Sequence, residues 1–387
     1  MNYTVRKTLS VSSALLFSVT AAFPGARAQN QNPPGAASSS GSAQNGAQAA
    51  PKTASQQFKN IQILKDVPAD QIIPAMQFIS ASLGVECEYC HVEHAADKDD
   101  KKPKVTARKM MEMMFNINKE NFEDHREVTC FTCHQGGAHP ASIPAVGVQE
   151  KMPEINEDAA ASEAAKPAAE SLLDKYLAAV GGADIVKKVT SRVEKGSLTG
   201  FRDQTAAIEI FAKAPDKRIS VVHMKEGESI TAYNGEVGWL SVPGRLHMMN
   251  RAESAGARLD ADMEFATHVK TFYPKWTTVP GEKIDGHETW LVVGRKEGTP
   301  PLKLYFDQKS NLLLRMVRHT DSPLGYNPTQ IDYADYRDAG GVKIPYRWTI
   351  SRPGNKFTVQ VEQVQQNVPV DDAKFVPPPP PTAPPAH

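Results

Sequence analysis

Apolar and polar positions alternate with two different periods, one in residues 55–143 and another in residues 168–376. The first region follows helical spacing. One helix is predicted to begin near Pro74 and to end at Gly84, since proline suits a first turn and glycine a stop. The residues that share its apolar face are Met76, Ile79 and Leu83.

A second helix is predicted after Thr106, which can cap its N-terminus. Its apolar positions at i, i+3, i+4 and i+7 are Met110, Met113, Met114 and Ile117. Because Met111 and Phe115 lie on the other side, this helix is apolar nearly all round and must be covered on several sides. Residues 95–104 carry a run of charges, which predicts a solvated connecting loop.

The second region has the period of two that is typical of strands. It begins with a helical pattern over 168–180 that Gly181 and Gly182 end. Alternating runs follow at 191–201, 207–212, 218–224, 228–233, 289–295, 302–306, 312–319, 342–351 and 356–365. Turns are predicted at 307–311 and 339–342, and a helix is one interpretation of 259–273. This pattern predicts an antiparallel sheet curled into a sandwich or open barrel.

Composition separates these two regions from the rest of the chain. A basic start, a short apolar run and an A-x-A site predict a signal peptide in residues 1–28. The other predicted segments are a disordered linker 29–54, a domain 55–143, a linker 144–167, a domain 168–376 and a proline-rich tail 377–387. We therefore expect a multidomain protein, mainly α in its N-terminal domain, with an α+β C-terminal domain that forms an antiparallel open β-barrel.

The balance of basic and acidic residues bears on whether the partner could be a nucleic acid. The chain has 44 basic and 44 acidic residues, and loss of the predicted signal peptide removes Arg6, Lys7 and Arg27 but no acid. The remaining 41 basic and 44 acidic residues give a formal charge of −3, which argues against nucleic acid. Export predicts a periplasmic location.

All four cysteines lie in two copies of one motif, Cys87-Glu88-Tyr89-Cys90-His91 and Cys130-Phe131-Thr132-Cys133-His134. Two thiols three positions apart can each add to a vinyl group of one porphyrin, and the next histidine can bind the iron. We therefore predict two haem c groups per chain. Cys87, Cys90, Cys130 and Cys133 would be the thioether anchors, with His91 and His134 as proximal iron ligands. The alternative is a zinc site of four thiolates, or of two thiolates and two histidines.

The spacing of residues in the sequence does not by itself identify the sixth iron ligand. Methionine is a common axial partner of histidine in electron-carrying haems. Met76 and Met110 are the first choices, with Met113 as the alternative to Met110. The rival ligands are His94, His125 and His139, which lie in the same region. Residues 168–376 contain no nucleophile elbow, phosphate loop or metal-ligand spacing.

Residues 58–140 resemble the cytochrome c subunit of photosynthetic reaction centres and its relatives in non-phototrophic bacteria. The resemblance rests on the run Met76-Gln77-Phe78-Ile79-Ser80 before the first motif, and on Ala107-Arg108-Lys109-Met110-Met111-Glu112-Met113 before the second. It implies that the helix methionine before each motif, here Met76 and Met110, is the sixth ligand. The family carries four haem motifs, and this chain has two of them.

Residues 169–377 resemble the lipoprotein-localisation (LolA/LolB) type of open antiparallel barrel. The features that carry this are Leu304-Tyr305-Phe306-Asp307 before Leu312-Leu313-Leu314-Arg315, and Gly341-Val342-Lys343-Ile344-Pro345. The resemblance implies a cavity for an acyl chain or another apolar ligand.

Together these features predict an exported dihaem c-type cytochrome that transfers single electrons and is not an enzyme. The expected partners are a redox protein donor and acceptor, with an apolar or lipid ligand in the C-terminal domain and peripheral contact with a membrane complex as further candidates. Two alternatives stay open. One is a dihaem peroxidase-like enzyme with an open position at one haem, and the other is a carrier of lipid or apolar molecules that acts through the barrel.

Overall fold

A computed structural model describes residues 52–140, 166–200, 204–353 and 355–379. The predicted signal peptide, most of both predicted linkers and most of the proline-rich tail lie outside these residues. The described chain has a helical region followed by a large antiparallel sheet. This confirms the predicted fold class.

Five α-helices make up the helical region as described, and a 3₁₀ turn at Ala69–Gln71 precedes the second. They are α1 (Ala54–Gln57), α2 (Ile72–Leu83), α3 (Cys87–Cys90), α4 (Lys102–Asn121) and α5 (Cys130–His134). Helix α2 ends where the sequence predicts, because Gly84 adopts the left-handed conformation (φ 63°) and its N–H bonds to the carbonyl oxygen of Ser80. Helix α4 begins four residues before Thr106, with Pro103 in its first turn.

A small hydrophobic cluster holds the helical region together. Its buried members are Ala54, Leu64, Ile72, Ala75, Phe78, Met111, Met114 and Leu324. On α4 the buried stripe is Met111, Met114 and Asn118, spaced i, i+3 and i+7. Met110 and Met113 are 38% and 46% exposed on another side. Of these residues of the predicted apolar face, Met114 is therefore in the core, whereas Met110 and Met113 are not.

The sheet has thirteen strands in the order β6-β5-β4-β3-β2-β1-β13-β12-β11-β10-β9-β8-β7. The strands are β1 (Ser191–Thr199), β2 (Thr205–Lys213), β3 (Lys217–Met224), β4 (Gly227–Asn234), β5 (Gly238–Val242), β6 (Arg245–Met248), β7 (Lys275–Pro280), β8 (Thr289–Lys296), β9 (Thr299–Asp307), β10 (Leu313–Ser322), β11 (Gly325–Ala339), β12 (Val342–Arg352) and β13 (Asn355–Gln366). Every neighbouring pair is antiparallel, and β6 and β7 are the two edges, so the sheet is open.

Four helices accompany the sheet: α6 (Ala169–Ala179), α7 (Ala183–Val186), α8 (Arg251–Ala261) and α9 (Phe265–Phe272). The ambiguous stretch 259–273 is therefore the end of α8 followed by α9. The main core joins α6 and α9 to the sheet through Leu173, Val269 and Leu304, each at most 1% exposed. None of the helices in the described ranges is long and apolar enough to cross a membrane.

The turn between β10 and β11 joins the sheet to the helical region. Leu324 at this turn is fully buried in the cluster of the helical region. The ring of Phe78 on α2 lies so close to Gly325 that a Cβ there would overlap it. Arg126 donates to the carbonyl oxygen of Ser322 and to Asp321 (2.8 Å). We call residues 322–325 the hairpin tip.

Candidate haem-attachment site

The first motif forms the short helix α3 and the residue after it. One turn of helix carries Cys87, which is exposed, and Cys90, which is half-buried. Burial raises the pKa of the Cys90 thiol, and the nearby Lys101 ammonium acts in the opposite direction. His91 follows in an extended conformation (φ −111°, ψ 144°) and ends the helix that carries the thiols.

A backbone carbonyl fixes the orientation of the His91 ring. The Nδ1 atom of His91 donates to the oxygen of Ala96 (3.0 Å), since a carbonyl oxygen can only accept. The same oxygen accepts a hydrogen bond from Nζ of Lys104 (2.9 Å). Lys104 is buried on α4 and also bonds to the carbonyl oxygen of Lys98 (2.6 Å). The loop after the motif is therefore held against α4.

The charged loop 95–104 does more than connect two helices. Asp99 accepts two hydrogen bonds from Arg108 (2.8 and 2.9 Å) and one from the Asn60 side chain (2.9 Å), and it pairs with Lys104 (3.0 Å). The hydrogen bonds from Arg108 and Lys104 hold the pKa of the Asp99 carboxyl well below its usual range. One carboxylate thus ties the start of the helical region, the loop and α4 together.

The second motif forms α5. Thr129 caps this helix, and its N–H donates to Oγ1 of Thr132 (3.0 Å). The buried Asn118 of α4 fixes the preceding segment with two hydrogen bonds to Val128, one to its carbonyl oxygen (2.7 Å) and one from its N–H (2.8 Å). Burial raises the pKa of the Cys130 thiol.

The histidine of the second motif repeats the arrangement of the first. Nδ1 of His134 donates to the carbonyl oxygen of Gly137 at 2.9 Å. Across residues 52–140, Nε2 of neither His91 nor His134 takes part in a hydrogen bond. An imidazole that donates from Nδ1 presents the lone pair of Nε2, which is the usual arrangement of a metal-binding histidine.

The side chains around the two motifs suit an apolar ring. Four large apolar side chains of the motifs and of α4 are exposed to solvent. They are Tyr89 (39%), Met110 (38%), Met113 (46%) and Phe131 (53%). Exposed apolar side chains next to paired thiols fit the faces of a porphyrin. Within the described ranges no three His, Cys, Asp or Glu side chains come together as a metal site. The four-ligand zinc alternative therefore has no matching cluster there.

The segment after the second motif lies against the end of α2, which leads into the first motif. The N–H of Gly136, two residues after His134, bonds to the carbonyl oxygen of Ser82 near the end of α2 (2.9 Å). A Cβ at Gly84 would overlap the Gly136 carbonyl oxygen, so glycine is needed here for close approach as well as for its positive φ. The start of the first motif, three residues after Gly84, is thereby held beside the end of the second.

The methionines differ in their surroundings. Met76 is half-buried and packs against the helical cluster, whereas Met110 and Met113 are exposed beside it. Met111 and Met114 fill the core and are not free to serve as ligands. The three rival histidines, His94, His125 and His139, are all exposed.

Sequence reasoning missed Lys104 and Asn118, which position the motifs, and Arg126, which binds the hairpin tip. Asn118 gave a usable signal, since a polar residue of low helix propensity falls on the apolar stripe of α4. Lys104 and Arg126 gave none, because they look like ordinary members of charged segments.

Solved structures similar to the sheet region include two with full coverage of the other chain. One is a LolA superfamily protein from Nitrosomonas europaea, with 13% identity, coverage of 55% of this chain and 98% of that chain, and a TM-score of 0.37. The other is a DUF1329 family protein from Desulfovibrio piger, with 12% identity, the same coverages and a TM-score of 0.39.

A family model described as the photosynthetic reaction centre cytochrome C subunit matches residues 26–196. The photosynthetic reaction center cytochrome c subunit of Rubrivivax gelatinosus is 35% identical over 95 residues, which are 23% of this chain and 25% of that protein. Cytochrome c-554 of Chloroflexus aurantiacus is 32% identical over 97 residues, 23% of each chain. The chain spans about a quarter of the length of these curated relatives. The N-terminal part of this chain is therefore similar to the photosynthetic reaction centre cytochrome c subunits and to cytochrome c-554.

Proposed function

We propose that this chain is an exported c-type cytochrome that holds two haem c groups and transfers single electrons. The observation that carries the proposal is the repeated imidazole arrangement. His91 and His134 each follow a thiol pair on one helical turn, and each donates from Nδ1 to a backbone carbonyl oxygen at 3.0 and 2.9 Å. Similarity to reaction-centre cytochrome c subunits supports haem c as the cofactor.

The residues take separate roles. Cys87 and Cys90 anchor one ring by thioether bonds, and Cys130 and Cys133 anchor the other. His91 and His134 are the proximal ligands, while Met76 and Met110 are the distal ligands, with Met113 as the alternative to Met110. Haem c supplies a one-electron couple when bound. A ligand on both sides leaves no open position at the iron, which favours electron transfer over peroxidase chemistry.

Electrons would pass between the two groups within the domain 55–143. The hydrogen bond from Gly136 to Ser82 supports this, because it holds the segment after the second motif against the helix that leads into the first motif. The donor and acceptor would be redox proteins met in the periplasm, including a membrane complex that the chain contacts peripherally. The domain 168–376 is proposed as the part that holds an apolar or lipid ligand.

Haem counting tests the cofactor assignment. The alkaline pyridine spectrum of the purified protein is expected to give two haem c groups per chain, and Cys87→Ala and Cys130→Ala are each expected to lose one. Met114→Leu, a conservative change in the core of the same region, serves as the control that keeps both. Bound zinc without haem would refute the proposal.

Potentiometric titration tests the distal ligands. Met76→Ala and Met110→Ala are each expected to lower one midpoint potential, because an axial methionine raises the potential relative to other ligands. Met113→Ala is the matched control on the same exposed side of α4. If only Met113→Ala moves a potential, Met113 replaces Met110 as the ligand. If none does, the histidine ligands replace the methionines. A high-spin signal with peroxide turnover would instead favour the peroxidase alternative.

A further inference from the structure

A cavity of about 510 Å³ lies between α2 and the sheet. Ile73, Pro74 and Gln77 of α2 form one part of its wall, and most of the rest comes from strands β3 to β6 and β10 to β13 and from helix α8. This volume is in the range of about 300–1,000 Å³ that small-molecule sites span. The site is separate from the two haem-attachment motifs.

The charged residues of the wall are mostly positive. The cations are Arg218, Arg245, Arg318 and Arg352, and the anions are Glu253 and Asp260, which gives a net formal charge of +2 with His247 neutral. Glu253 is already bonded to His247 (2.9 Å) and to the N–H of Asn250 (2.9 Å). The hydrogen bond that the imidazole of His247 donates to Glu253 raises the pKa of His247.

Arg318 on β10 is the best-defined cation of the wall. It is 8% exposed and donates to Asp260 of α8 at 2.5 Å. Its Nε has no hydrogen-bond partner in the described part of the chain. Gly256 of α8 leaves the space that this guanidinium occupies, since a Cβ at this position would overlap Nη1 of Arg318. Glycine inside a helix is less favourable than alanine, so this position of α8 is occupied by a poor helix former that leaves space for the charge.

Arg218 on β3 adds a second guanidinium. It is half-buried and lies over the ring of Trp348, 6.0 Å from its centroid. It forms neither a hydrogen bond nor an ion pair with any residue of the described ranges. A cation taken partly out of water without an anion is unfavourable unless something else supplies the negative charge.

The remainder of the wall is apolar. Ile73 of α2 and Leu240 of β5 line the cavity and are 44% and 38% exposed, which is unusual for large aliphatic side chains inside a fold. Arginines on one part of a wall and aliphatic side chains on another match a molecule with an anionic group and an apolar body.

We propose that this cavity is a binding site for a carboxylate or phosphate group, which accepts hydrogen bonds from Arg318 and Arg218. The anion comes either free in solution or as the head of an amphiphile whose apolar part lies against Ile73 and Leu240. Because α2 also carries Met76, the occupant contacts the helix that is proposed to supply a distal ligand. The binding step itself does not depend on the haem count.

Calorimetric titration of the full-length holoprotein tests the site with three probes: decanoate below its micelle concentration, inorganic phosphate and decanol. Decanoate is expected to bind at one site. Arg318→Gln and Arg218→Gln are each expected to weaken binding about tenfold or more, as loss of a charge-assisted hydrogen bond should. The matched control is Arg258→Gln on α8, whose side chain is 65% exposed, pairs with Asp216 at 3.8 Å and is outside the cavity wall.

The outcomes separate the sources of the anion. Binding of decanoate but not phosphate assigns the site to an amphiphile, and binding of phosphate as well assigns it to a free anion. Decanol that binds as tightly as decanoate would overturn the proposal, and so would the absence of binding by both anions. Within the described ranges the Arg218 side chain has no hydrogen bond or ion pair to lose, only its contact with the Trp348 ring. Unchanged binding in Arg218→Gln, with its circular dichroism intact, would therefore overturn the role of the arginines even if Arg318→Gln failed to fold.

Discussion

Leu324 at the hairpin tip tests whether the sheet completes the core of the helical region. Its side chain is fully buried, and seven of the eight buried members of that cluster come from residues 54–114. Replacing it with alanine removes an aliphatic group that the sheet contributes across the contact. We expect Leu324→Ala to destabilise the helical region more than the sheet.

The size of the effect depends on how far the hairpin tip can collapse into the space that the leucine leaves. Leu→Ala changes in cores cost roughly 2–5 kcal/mol, with the larger values where the site cannot relax. Here the tip is fixed by hydrogen bonds between Ser322 and Gly325 (2.7 and 3.2 Å) and by Arg126, which binds Ser322 and Asp321. We therefore expect a loss of about 3–4 kcal/mol in the free energy of unfolding.

Two optical probes separate the two regions in one urea titration. The haem absorbance reports on the helical region, while the four tryptophans, Trp239, Trp276, Trp290 and Trp348, all lie in the sheet region. Leu324→Ala should move the haem transition to lower urea by more than it moves the tryptophan transition. Leu240→Ala, at a leucine that is 38% exposed, is the control and should change stability by less than about 1 kcal/mol. A haem transition of Leu324→Ala that moves no further than that of the control would refute the reasoning.

Three further changes follow from the contacts described above. Since the pKa of Asp99 is depressed in the folded protein, its stabilising effect is complete above its unfolded pKa of about 3.9 and is lost as pH falls toward the folded pKa. Asp99→Asn should therefore lower stability at pH 7 and flatten the acid dependence measured by thermal unfolding. Gly256→Ala should lower the melting temperature although alanine favours helices, because its Cβ overlaps the Arg318 guanidinium. Asn118→Leu should cost about 1–3 kcal/mol and broaden the spectrum of the second haem, because two backbone groups of Val128 lose their partner.

The changes at Asp99 and Gly256 each have a control of the same type. Asp100→Asn, one residue from Asp99 in the same loop, should keep the acid dependence of the wild type. Gly298→Ala, at an open turn with nothing within 4 Å, should not disturb Arg318, although its positive φ of 65° gives a local cost of its own. An Asn118→Leu protein as stable as the wild type would show that α4 does not position the second motif. A higher melting temperature for Gly256→Ala would show that Arg318 moves aside freely.

The chemistry of the haem-attachment motifs could be predicted from the sequence because it is local. Two thiols and an imidazole within five residues fall on one turn of chain whatever surrounds them, and α3 and α5 are such turns. The end of α2 was equally local, since Gly84 can adopt a positive φ without a Cβ penalty. The orientation of the His91 ring could not be predicted in this way, because the Ala96 oxygen that it bonds to is held by Lys104, which lies on another helix.

Packing between distant parts of the chain determines which residues are buried where the sequence spacing allows several. Met110, Met113 and Met114 fit one apolar face equally well in the sequence, but only Met114 joins the core, beside Met111 and Asn118. The strand β11 was missed because Pro328 interrupts its alternation. The structure accommodates the proline because β12 pairs with β11 only from Gln330 onward, so Pro328 has a neighbouring strand on one side alone.

The hairpin tip contains an apolar residue where turns are usually polar, and this residue indicates a contact with a distant part of the chain. Strands β10 and β11 are joined by two residues, Pro323 and Leu324, and turns of this kind are normally polar. A leucine at such a tip has no reason to be buried by its own hairpin, so its burial requires a surface from elsewhere in the chain. That surface is the cluster around Phe78 and Met114, on the helices that precede the two haem-attachment motifs. The sheet therefore contributes to the core on which the attachment motifs rest, and Leu324 is the buried aliphatic side chain through which it does so.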